Sequence, residues 1–239
     1  MKYTKFIVIL LFFVYSCKGL SVTNAPKSIV RDEFGRVVKR ISYNKSGKPE
    51  SVVEVQYSGK TSKPSIKIFK KHQGRKSYPI REEVFVYKKG LVTQINYYIY
   101  KNMIRIKAGK IDFIYKNNKP EIIEYYSIID IANMNMFKYG IDLYTYSDDI
   151  LIKRRIIEYE HNPKSKNVMQ LSQYVIYYKK EKIEFMQTWM LDKKTKKIIK
   201  NKEIDLHIIV EMINNIEKNL NKRATGIIYL DKEGTWQVF

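Results

Sequence analysis

The sequence predicts a mainly β, α+β fold: a long antiparallel meander of β-hairpins with one C-terminal amphipathic helix packed on the sheet. Three observations lead there. From Val37 onward apolar residues alternate with polar ones at a period of two, as half-buried strands require. A unit made of a strand ending in tyrosine, a polar turn and a returning strand recurs along the chain. Only near the C-terminus does the apolar spacing change to the 3.6-residue period of a helix.

Ahead of the strands, Met1 to Lys5 form a short basic head, Phe6 to Val14 an uncharged apolar run, and Val14-Tyr15-Ser16-Cys17 close it. This is the order of a secretory signal peptide. An apolar run of about 10 residues spans roughly 15 Å as a helix, about half a bilayer core, so it is built for cleavage and not for spanning. With Val14 three residues before Cys17 and small Ser16 next to it, the segment resembles the relaxed lipobox of bacterial, spirochaete-like lipoproteins. That resemblance implies that residues 1–16 are removed and that Cys17 becomes a lipidated N-terminus. It would carry a diacylglyceryl thioether and an amide-linked acyl chain such as palmitate. Two or more acyl chains hold a protein stably on a membrane, so the implied location is the bacterial envelope, at the outer membrane or cell surface in preference to the inner membrane. Cys17 is the chain's single cysteine. It could not form a disulfide within the chain, but a lipid acceptor needs only one.

Residues 17–30 are small and polar beyond Cys17 and read as a tether. Residues 31–239 read as one β-rich domain, since no Pro-, Gly- or Ser-rich linker divides them. Val37 to Tyr43, the turn Asn44-Lys45-Ser46-Gly47-Lys48-Pro49 and the alternation through Val53, Val55 and Tyr57 predict the first hairpin. Tyr115 to Tyr125 echo it, and cognate units start at Tyr87, Tyr146 and Tyr178, at intervals of about 30 residues. These units resemble the tyrosine-rich hairpin repeats of YD-type bacterial surface proteins, as does Phe34-Gly35-Arg36-Val37-Val38. Ser127 to Gly140 fits either a short helix with an N-capping serine or a strand and loop. Ile209, Met212, Ile213, Ile216 and Leu220 then mark one helical face over about residues 203–221, with Lys222 and Arg223 in the last turn. A final hairpin is expected over 227–239.

The sequence points away from an enzyme, and it calls for no cofactor and no metal. It has no phosphate-cradling glycine loop, paired helical histidines or serine elbow. His72, His161 and His207 have no ligand spacing, and Asp148-Asp149 falls where a hairpin should turn. What stands out is charge: 45 Lys and Arg against 24 Asp and Glu, a net +21. Lys193, Lys194, Lys196 and Lys197 place two doublets around one threonine, a spacing that resembles heparin-binding patterns. Lys67, Lys70, Lys71, Arg75 and Lys76 make a second cluster and Lys153-Arg154-Arg155 a third. These clusters suit an anionic glycan, an anionic lipid headgroup or a protein partner. They also suit turns and strand edges guarded by lysine against aggregation. Nucleic acid is not expected, because the leader exports the chain. The function that follows is a non-enzymatic, lipid-anchored binding or adhesion protein. The alternative is a periplasmic carrier holding a lipid or other apolar ligand between sheet and helix. For the anchor the expected outcome is clear: the mature protein partitions into detergent with the mass of an acylated Cys17, and Cys17→Ala moves it to the aqueous phase. A wild-type protein without fatty acid would refute the anchor.

Overall fold

The computed structural model describes residues 27–130, 135–161, 168–191, 198–201, 206–225, 228–230 and 236–238. Thirteen strands pair in chain order into one antiparallel sheet. They are β1 (Lys27–Arg31), β2 (Val37–Tyr43), β3 (Pro49–Tyr57), β4 (Pro64–Gln73), β5 (Lys76–Lys88), β6 (Leu91–Lys101), β7 (Ile104–Lys116), β8 (Lys119–Asp130), β9 (Asn135–Ser147), β10 (Ile150–His161), β11 (Val168–Lys179), β12 (Lys182–Leu191) and β13 (Ile198–Asn201). One helix, α1 (Leu206–Ala224), packs on this sheet, and β14 (Ile228–Leu230) pairs with β15 (Trp236–Val238) as a separate small hairpin. Strand therefore continues through Ser127 to Asp130 and resumes at Asn135. The strand-and-loop reading of that region replaces the short helix, and residues 131–134 lie outside the described residues.

Five of the hairpins share one turn geometry. At Lys89-Gly90, Asn102-Met103, Asn117-Asn118, Asp148-Asp149 and Lys180-Glu181 both central residues have positive φ, the type I′ turn whose twist matches that of the flanking strands. Asparagine and aspartate tolerate this region better than most side chains, which accounts for Asp148-Asp149 as a turn.

The tyrosines explain why the unit repeats. Opposite Tyr57, Tyr87, Tyr115, Tyr146 and Tyr178 the register shifts by one residue, so that Ser65, Thr93, Glu121, Ile152 and Glu184 are skipped on the returning strand. Such bulges sharpen the local twist and re-aim a side chain. Four of these phenols donate to a carbonyl at the start of the preceding strand: Tyr57 to Val37 at 3.1 Å, Tyr87 to Pro64 at 2.9 Å, Tyr115 to Val92 at 2.9 Å and Tyr146 to Pro120 at 3.1 Å. Burial pushes the Tyr87 and Tyr146 phenols up to about 12, so they remain donors at neutral pH. Tyr43 ends β2 on the opposite rim, so Tyr57, and not Tyr43, begins the series.

The core lies between α1 and the strands from β6 to β12. From the helix come Ile209, Ile213, Ile216, Leu220 and Ala224; from the sheet come Tyr97, Ile111, Ile123, Tyr125, Phe137, Tyr139, Ile156, Tyr174, Ile176 and Met186. Fully burying such a side chain contributes roughly 1.5–3 kcal/mol, enough for the helix stripe to hold α1 in place. Two glycines let it approach. A Cβ on Gly109 would stand 2.5 Å from the Tyr126 carbonyl oxygen, with the Ala224 carbonyl oxygen closer still, and a Cβ on Gly140 would stand 2.5 Å from Leu220 Cδ2. The Tyr139 hydroxyl adds a bond to the Leu220 carbonyl at 2.5 Å.

Gly109→Val should therefore push the end of α1 off the sheet. Overpacking costs typically about 1–3 kcal/mol, so the midpoint of urea unfolding should fall. Gly140→Ala should cost less, because its first obstacle is a side-chain methyl. Equal midpoints for wild type and Gly109→Val would show that the helix does not dock this closely.

Candidate binding surfaces

A meander of this kind offers three kinds of surface: the face under the helix, the opposite face, and the rims made by the turns. Under the helix the residues fill the space themselves. Tyr125, Tyr139, Ile156, Leu220 and Ala224 have no measurable exposure. Charge is buried there too. The Arg154 guanidinium donates to both oxygens of Asp142, Nε at 2.9 and 3.0 Å and Nη2 at 2.5 Å, while Nη1 meets Glu217 of α1 at 2.7 Å. Tyr144 donates to Asp142 at 2.8 Å. Burial, offset in part by Arg154, pushes the Tyr144 phenol well above its ordinary range, so it donates its proton here rather than losing it. Nearby, Glu158 accepts from Ser172 at 2.6 Å and Tyr174 at 3.2 Å. The Lys153-Arg154-Arg155 run is thus no single basic patch. Arg154 is buried and paired, while Lys153 and Arg155 lie on the opposite face.

Among the described residues, α1 leaves β1 to β5 uncovered on this face. Val53 and Val55 of β3, Phe69 of β4 and Phe85 of β5 follow one another across it, each half-buried. Cations lie over the rings: Arg81 3.9 Å from the Phe69 centroid and Lys67 5.0 Å from that of Phe85.

The opposite face carries a cross-strand ladder whose charges are paired. Glu82 accepts from Tyr100 at 2.5 Å and from Arg105 at 3.0 and 2.7 Å, and Arg105 stacks 3.5 Å above the Tyr98 centroid. Burial raises the Glu82 pKa, but these hydrogen bonds outweigh it and hold the carboxyl below its usual range. Farther along, Gln94 donates to Asp112 at 2.7 Å, Lys110 pairs with Asp112, and Glu124 accepts from Tyr126 at 2.7 Å and Lys138 at 2.6 Å. A face whose carboxylates are already satisfied offers little to a cation or a substrate. Among the described residues no three His, Cys, Asp or Glu side chains come together as a metal site.

The sequence clusters fare unevenly. Lys70 of β4 binds Glu54 at 2.5 Å on the ladder face, whereas its neighbour Lys71 points to the other face, as strand alternation demands. Arg75 and Lys76 follow Gly74 at a turn and are exposed. The cluster Lys70, Lys71, Arg75 and Lys76 is therefore divided between two faces and a rim. Cys17 and Lys193, Lys194, Lys196 and Lys197 lie outside the described residues. Sequence reasoning missed the Asp142–Arg154–Glu217 cluster. Its one signal is parity, since Asp142 alternates in step with Tyr144, and Arg154 with Ile156.

No family model matches the chain and no curated protein matches it. Among solved structures it is similar to a Bacteroides fragilis protein of unknown function, at 9% identity and a TM-score of 0.40, covering 54% of this chain and 93% of that one. Two DUF3836 family proteins are also similar: one from Bacteroides vulgatus (14% identity, TM-score 0.30, 38% and 90% coverage) and one from Parabacteroides distasonis (16%, 0.29, 40% and 87%).

Removing one member of a buried ion pair leaves the other unsatisfied and typically costs about 3–5 kcal/mol. Arg154→Leu should lower unfolding stability by that order, and adding Asp142→Leu should recover most of the loss. If the double variant is as unstable as the sum of the singles, the pair is not coupled as the geometry requires.

Proposed function

We propose that this is a non-enzymatic, lipid-anchored envelope protein that uses its basic surface to bind a polyanion. The observation that carries this reading over a carrier is the filled interface between α1 and β6 to β12. A carrier needs a cavity of roughly 300 Å³ or more for an apolar ligand. Here Tyr125, Tyr139, Ile156, Leu220 and Ala224 occupy that place with essentially no exposure. Aromatic hydroxyls within it are tied to the protein, as Tyr139 is to Leu220. Without Lys2 and Lys5 of the leader, the net charge of +21 becomes +19 (21 − 2), which gives the exterior its bias toward anionic partners. The lipid at Cys17 would keep that exterior at the membrane, raising its effective concentration near anything displayed there.

Two measurements on the Cys17→Ala full chain separate the readings. Retention on immobilised heparin should fall steeply with salt, as counterion release requires, and an environment-sensitive apolar dye should find no saturable site. Saturable one-to-one uptake of the dye or of a fatty acid, with heparin retention absent, would replace this function with the carrier.

A further inference from the structure

We infer that one rim of the sheet is a docking ridge for a linear sulfated glycan, formed by the β3/β4, β5/β6, β7/β8 and β11/β12 turns. The inference rests on the polyanion reading above and gives it a surface and a partner class. Because the strands pair in chain order, every turn that follows an odd-numbered strand lies on the same rim. Neighbouring strands are about 4.8 Å apart, so successive turns on that rim recur at roughly 10 Å. At these four turns stand Lys60, Lys88, Lys89, Lys116, Lys180 and Lys182, all exposed. Among the described residues none of the six side chains makes a hydrogen bond or an ion pair.

Other basic residues of the rim spend their charge holding it together. Arg36 donates to the Gly59 and Thr61 carbonyls, both at 2.7 Å, and lies 4.5 Å from the Tyr57 ring centroid. Lys63 reaches the Gly90 carbonyl at 2.5 Å across to the next turn. Lys119 reaches the Asp149 carbonyl at 2.5 Å and its carboxylate at 2.8 Å. With the tyrosine latches beneath, these bonds fix the turns from β1/β2 to β9/β10 against their neighbours. The unpaired lysines therefore stand on a preorganised base, which lowers the ordering cost of binding. Asp148 interrupts the row at the β9/β10 turn. The longest unbroken run is then the one from β3/β4 to β7/β8, roughly 20 Å by strand spacing.

A glycan fits better than the other polyanions. Single-stranded nucleic acid binds where aromatic rings are open for base stacking, but the rim tyrosines have their hydroxyls latched inward, and cations cover Tyr57, Tyr87 and Tyr146. A flat bilayer meets only part of a row that winds with the usual twist of roughly 20–25° per strand. A flexible linear chain can follow it.

The test uses the Cys17→Ala full chain with heparin as probe, and two variants that each remove four lysines. Lys60, Lys88, Lys116 and Lys182→Gln strips one residue from each turn while leaving the positive-φ positions intact. Lys193, Lys194, Lys196 and Lys197→Gln removes the sequence cluster between β12 and β13. With unfolding midpoints unchanged, the rim variant should bind at least about tenfold more weakly, with a log–log salt slope shallower by about 3 units. The second variant should behave as the parent. Equal losses in both, or loss only in the second, would overturn the rim while leaving polyanion binding in place. Failure of the parent to bind heparin would remove the polyanion reading itself. Tighter, rim-dependent binding of anionic phospholipid vesicles or of single-stranded RNA would overturn the glycan as partner.

Discussion

The C-terminal part of this single-layer sheet, from β6 to β12, buries its apolar face under α1, and that burial depends on the close approach of the helix to Gly109 and Gly140. The approach is close because those two positions have no side chain, so the helix end can rest against backbone. Everything buried in the C-terminal part follows from it: the stripe Ile209 to Ala224, the tyrosines that meet it, and the Arg154 cluster that Glu217 completes from the helix side. A helix seated this closely fills the space between itself and strands β6 to β12 with the protein's own side chains.

Where the helix stops, local interactions take over. The bulge opposite each rim tyrosine and the phenol bonded to the start of the preceding strand repeat from β3 to β9. This is a sheet stabilised hairpin by hairpin, each unit leaning on its neighbour, as repeat architectures do. Half-buried rings on β4 and β5 are shielded by Arg81 and Lys67, whose stems cover apolar surface while their charges lie over the rings. Among the described residues, basic side chains thus have several distinct roles. Some cover aromatic surface, some tie turns together, some pair with carboxylates of the sheet or the helix, and some, such as Lys60 and Lys88, stand exposed at the turns.

That division could not be read from residue order. Lys70 and Lys71 are adjacent in sequence and belong to opposite faces, because a strand alternates its side chains. Arg154 lies within a basic run and is among the most deeply buried charges, because the partner that permits this comes from a strand twelve residues earlier and from a helix far later. In the other direction, Lys60, Lys88, Lys116 and Lys182 are widely separated in the chain and come to one rim only when the meander folds. Clustering in sequence and clustering in space are nearly independent in a protein built of short antiparallel returns.

The period-two alternation, the turn residues and the 3.6-period stripe after Asn201 were enough by themselves to determine the class of fold, the hairpin repeat and the helix, since each depends on residues within a few positions of one another. The tyrosine at each strand end was also legible as a recurring mark, though not its purpose. Tertiary structure alone decided which face the helix covers, how near it comes, which charges are buried, and which lysines share an edge. These are contacts between residues tens of positions apart. They depend on register and on the absence of a Cβ at two glycines, neither of which local periodicity encodes.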